Sequence, residues 1–146
     1  MKIGNRTQQG LLAGLFAGIV MDITDQLTYL LVKEHTLRSA DWVALLIYGR
    51  QSNHDLELLL AQVIHFLFTA MLGLLYVYFI APIKIKNHLF KGWLWSTFVW
   101  FVAITLTIST KIPALTEIDV NDFIFHFLLA SIYGLTLAAA NARLAK

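Results

Sequence analysis

Four apolar runs, each close to twenty residues long, dominate this sequence. They cover roughly residues 10–32, 58–80, 92–110 and 123–142. A bilayer core about 30 Å thick takes about 20 apolar residues as a helix, so each run is long enough to span. Only 14% of the 146 residues are charged, and 58% are apolar. That charge is about half of what a soluble domain carries. The pattern predicts an all-α polytopic membrane protein, one domain over residues 1–146, with the lipid bilayer as its first partner. The first run is longer than a signal-peptide core and holds two acids, so it reads as a retained helix. There is no cysteine, which excludes disulfides, thiolate metal sites and cysteine nucleophiles. A net charge of +2 with scattered cations gives no reason to expect nucleic acid.

Within the first run, Gly10, Gly14, Gly18 and Asp22 recur every four residues. On a helix they form one row. Small residues let a second helix approach closely in a membrane, so the first helix is expected to be the buried one, with the others packed around it. Gly73 and Gly134 are further candidates for close helix packing.

The breaks between runs have local causes. Ala81-Pro82 ends the second helix and Lys111-Ile112-Pro113 the third, because proline cannot continue a helix. Asp119 to Asp122 gives the fourth helix an acidic start, and Ser52 or Asn53 with Asp55 and Glu57 does so for the second. Lys2, Arg6, Lys84, Lys86, Lys91, Arg143 and Lys146 fall on one side of this arrangement, and Lys33, Arg38, Arg50 and Lys111 on the other. This bias of seven to four places both termini in the cytoplasm, in an inner or plasma membrane. The stretch Asp41–Arg50 is apolar but too short to span. Trp42 and Tyr48 mark it as a short helix at the membrane–water interface, ended by Gly49.

His65-Phe66-Leu67 with Gly73-Leu74 aligns without a gap to His126-Phe127-Leu128 with Gly134-Leu135. More loosely, Gly10, Leu12 and Phe16 match Gly92, Leu94 and Phe98. The alignment reads as a duplicated helical hairpin, about 8–82 and 90–143, with both copies in the same orientation. The elements Asp41-Trp42, Ile47–Arg50, Lys91-Gly92-Trp93, Thr116–Asp119 and Ile132–Leu135 resemble a group of small four-span membrane proteins of Gram-positive bacteria. The C-terminal half is similar to YqhR-type conserved membrane proteins. The resemblance implies a four-helix membrane protein and no particular activity.

Asp22, Asp25, His65 and His126 are the ionisable residues inside the runs. At about 1.5 Å per residue, Asp25 and the two histidines share a level to within about 3 Å, and Asp22 lies a turn deeper. An acid inside a span is expected to face protein or water. An Asp–His hydrogen bond between helices is one reading of the four, and a proton or cation site is the other. No metal or cofactor is expected, since the histidines lie on different helices with no local ligand spacing. No HExxH helix, nucleophile elbow or phosphate-cradling loop is present, so an enzyme is not expected. Two functions remain. One is a structural or accessory subunit working through helix contacts, alone, as a homo-oligomer or with a membrane-protein partner. The other is a small proton- or cation-linked permease or channel.

Overall fold

The computed structural model describes residues 5–32, 37–112 and 119–145. Lys33, Glu34, Pro113, Glu117 and most of Thr116–Asp119 lie outside the described residues. Among the described residues the chain is all-helical, with no strand. In order come α1 (Arg6–Leu31), the short α2 (Ser39–Tyr48), α3 (Asp55–Leu75) with a π-helical turn (Tyr76–Ile80), α4 (His88–Ser109) and α5 (Val120–Leu144). Four helices, Arg6–Leu31, Asp55–Ile80, His88–Ser109 and Val120–Leu144, are long and apolar enough to cross a membrane. They carry exposed Phe16, Ile23, Leu67, Phe98, Phe101 and Leu128. Large apolar side chains in such positions suit lipid and not water.

Each long helix begins about a turn before its apolar run, because a polar cap precedes the run. The Asn5 side chain accepts from Thr7 N, that of Asn87 from Leu89 N and Phe90 N, and that of Asp119 from Asn121 N. The start of α3 differs from expectation. His54 occupies the cap without a side-chain bond, and Glu57 reaches back to accept from Asn53 N at 3.1 Å. Arg50 clamps the same carboxylate at 3.0 and 2.8 Å. At the far end Ala81 N donates to Tyr76 O at 2.8 Å, widening the last turn before Pro82. The Lys91 ammonium donates to Ala81 O at 2.8 Å and Ile83 O at 3.0 Å, satisfying carbonyls that the helix end leaves open. Gly49 ends α2 at φ +68°, where only glycine sits without steric penalty.

The helices pack as two close pairs, α1 with α3 and α4 with α5, and α1 lies against α5 to join them. In the first pair Gly10 and Gly14 face Gly73, and Gly18 faces Thr69; a Cβ on Gly73 would overlap the backbone of Gly10 and Gly14. In the second pair Gly92 and Ser96 face Gly134. The centre is filled by Ala13, Ala17, Leu72, Tyr76, Tyr133 and Leu137. Thus α1 is not the sole hub. It shares the centre with α5 and leaves Leu12, Phe16, Ile19 and Ile23 exposed. Its glycine row covers one side only, so one partner takes that face and lipid takes another.

Overpacking a core costs about 1–3 kcal/mol, and here the obstacle is backbone that cannot rotate away. Gly73→Val is therefore expected to lower the thermal unfolding midpoint in detergent clearly, and Leu75→Val, at an exposed site on the same helix, to leave it nearly unchanged. Equal midpoints for the two variants would contradict the backbone contact.

Candidate functional site

The polar groups of the apolar region are placed by α1, α2, α3 and α5. Asp22 continues the glycine row of α1 toward α3, and its Oδ1 accepts from Gln62 Nε2 at 2.9 Å. Asp25 is fully buried, with 0% exposure. Its Oδ2 accepts from Ser39 N at 2.6 Å. Ser39 is the first residue of α2, so the carboxylate caps a helix N-terminus, where backbone N–H groups lack intrahelical partners and the dipole favours negative charge. Beside it Arg38 pairs with Asp41 at 2.9 and 3.1 Å and lies over the Tyr29 ring at 4.9 Å. The Asp41 hydrogen bond raises the guanidinium pKa further above its ordinary value.

His65 and His126 are both buried, and both line one cavity of about 200 Å³. The cavity lies between α3 and α4, with Ser39 and Trp42 of α2 at one end and Leu72 and Tyr133 deeper in the bundle. Trp42 sets its ring edge-on to His126 at 4.8 Å. The Tyr133 hydroxyl donates to Thr69 O at 2.8 Å, tying α5 to α3.

The hydrogen bonds described for Asp22 and Asp25 run to Gln62 and to Ser39 N, a different pairing from the expected Asp–His bond. The competing demand is backbone. In apolar surroundings the open N–H groups of α2 must find acceptors within the protein, and Asp25 supplies one. Sequence reading gave Gln62 and Ser39 no part. The signal for Gln62 was an amide inside an apolar run; Ser39 takes part through its backbone and offered no side-chain signal.

The fold and these sites define a multi-pass membrane protein with four spanning helices. No protein-family model matches the chain, and no curated protein or solved structure does either.

Interhelical hydrogen bonds in membranes contribute about 0.6 kcal/mol on average and up to about 1.7. A double-mutant cycle of Asp22→Ala with Gln62→Ala is expected to give a coupling in that range. The cycle of Asp22→Ala with His65→Ala is expected to give a coupling near zero. Measuring unfolding free energy in detergent or bicelles separates the two, and a larger coupling to His65 would restore the Asp–His pair.

Proposed function

We propose that this chain is a structural or accessory subunit of the plasma membrane, working through helix contacts and not as a permease. One observation carries this reading: both intramembrane acids are engaged in hydrogen bonds that hold helices together, Asp22 with Gln62 and Asp25 with Ser39 N. A permease built on them would need a carboxylate open to a water path. The seven-to-four bias of Lys and Arg supports cytoplasmic termini. Gln9 Nε2 donates to Asn141 Oδ1 at 2.7 Å, so the first and last helices meet at one end, as an even number of spans requires. The paired contacts of Gly73 with Gly10 and Gly14, and of Gly134 with Gly92 and Ser96, support an origin by hairpin duplication. The exposed apolar faces leave room for a second copy or another membrane protein, and the likeness to YqhR-type proteins agrees with a role that carries no catalytic motif.

In proteoliposomes with an imposed pH or cation gradient, the protein is expected to leave the decay rate at the protein-free value. Accelerated decay that Asp25→Asn abolishes would select the permease. A reporter fused after Lys146 is expected to report the cytoplasm, and an external signal would reverse the orientation.

A further inference from the structure

The cavity between α3 and α4 gathers polar atoms that have no hydrogen-bond partner in the protein. They are Ser39 Oγ, Trp42 Nε1, His65 Nε2 and Trp100 Nε1, and all four residues line the same chamber. Ser39 is 6% exposed and His65 5% exposed, so neither is turned to solvent. A buried polar group left unmatched is destabilising. Four around one chamber, in a region without bulk water, are the lining of a binding site. Near the deeper end, by contrast, the Tyr133 hydroxyl, Thr69 Oγ1 and Ser96 Oγ all make internal hydrogen bonds.

The lining also states what kind of group it takes. Indole N–H groups only donate, whereas serine and histidine can do either. The occupant must therefore offer at least two acceptors. Among the described residues no Asp, Glu, Lys or Arg lines the chamber, so a bare charge would find no fixed counter-ion among them. The head is thus uncharged. A chamber of about 200 Å³ is somewhat larger than the roughly 150 Å³ that holds benzene. It admits a substituted six-membered ring or a short glycerol ester head, and no more. The rest of the molecule must leave sideways. α4 packs on α5 and meets the α3 chain mainly at the π-helical turn, so the gap between α3 and α4 opens laterally, beside exposed Phe68.

We propose that this chamber binds the head of an uncharged lipid bearing two or more carbonyl acceptors, with its apolar tail lying in the bilayer between α3 and α4. An isoprenoid quinone and a diacylglycerol share that chemistry. The aromatic walls Trp42, Trp100 and His126 favour a flat ring.

The test is equilibrium binding of radiolabelled ligands to the full chain in detergent micelles, using a short-tailed isoprenoid quinone, dioctanoylglycerol and decanoate. Saturable one-site binding of the quinone or the glycerol ester is expected, and which of them binds identifies the source. Trp42→Phe and Trp100→Phe keep a ring and remove the donor, and each is expected to weaken binding about fivefold. Trp95→Phe is the control, because that indole also lacks a partner but does not line the chamber, and it is expected to bind as the unmodified chain does. Circular dichroism confirms that each variant is folded. If Trp42→Phe or Trp100→Phe fails to fold, His65→Gln, which keeps hydrogen-bonding capacity but loses the ring, is expected to alter affinity in its place. Unsaturable uptake overturns the proposal. So does equal weakening by Trp95→Phe, or decanoate binding as tightly as the uncharged ligands.

Discussion

The backbone contact of α1 with α3 at Gly14 and Gly73 sets the distance on which the other interactions depend. Lipid tails are as apolar as leucine, so helices in a membrane gain little by hiding apolar surface from one another. What remains is close contact, and it requires that nothing stand between the backbones. Once the glycine row brings α1 against α3, Asp22 on the next turn reaches Gln62. The α4–α5 pair uses the same device, with Gly92 and Ser96 against Gly134. Where the facing residues are large, as with Phe68 on α3 and Trp100 on α4, the helices stand apart and the cavity forms. Close pairs and open seam are thus two consequences of one rule about side-chain size.

Other polar groups gather at the two ends of the bundle. At one end Gln9 meets Asn141, the Thr7 hydroxyl shares a hydrogen bond with Tyr78, and Lys91 closes the end of the π-helical turn. At the other, Asp25 receives the start of α2, Arg38 pairs with Asp41, and Arg50 pairs with Glu57. Among them, Asp25 and Lys91 satisfy backbone groups that helix ends leave open. Lys91 is 8% exposed, and only the two carbonyls it caps make such burial tolerable for an ammonium.

The four helices and their stops were legible in the sequence because length, apolar content and proline act locally. The helix starts were less so, since capping turns are polar and fall outside an apolar run. The row Gly10, Gly14, Gly18 and Asp22 announced a close neighbour, and its period alone could not name α3. Asp25 shows where sequence reading stops. An acid and two histidines at one depth invite pairing, but the acceptor demand of α2 is a property of backbone, with no side chain to mark it. The exposed side of α1 was missed for a related reason: a glycine row describes one face and is silent about the rest of the circumference.

The acids stand outside the cavity and touch its lining at Ser39, whose N–H donates to Asp25 while its Oγ is left unmatched. Asp22 and Asp25 do not line the chamber, and their hydrogen bonds hold helices in place. The chamber also holds the indole N–H groups of Trp42 and Trp100, His65 Nε2 and Ser39 Oγ, which make no hydrogen bond within the protein. A bundle selected for packing alone would do as well with phenylalanine at Trp42 and Trp100, since the ring contacts with His126, Phe123 and Phe127 need no N–H. Retaining donors in an apolar layer, unmatched within the protein, is destabilising unless something outside the chain accepts from them. The two acids have hydrogen-bond partners within the scaffold, whereas four unmatched polar groups gather at a lateral seam. That division lets a small bundle stay rigid through Asp22 and Asp25 while a separate chamber faces the lipid phase.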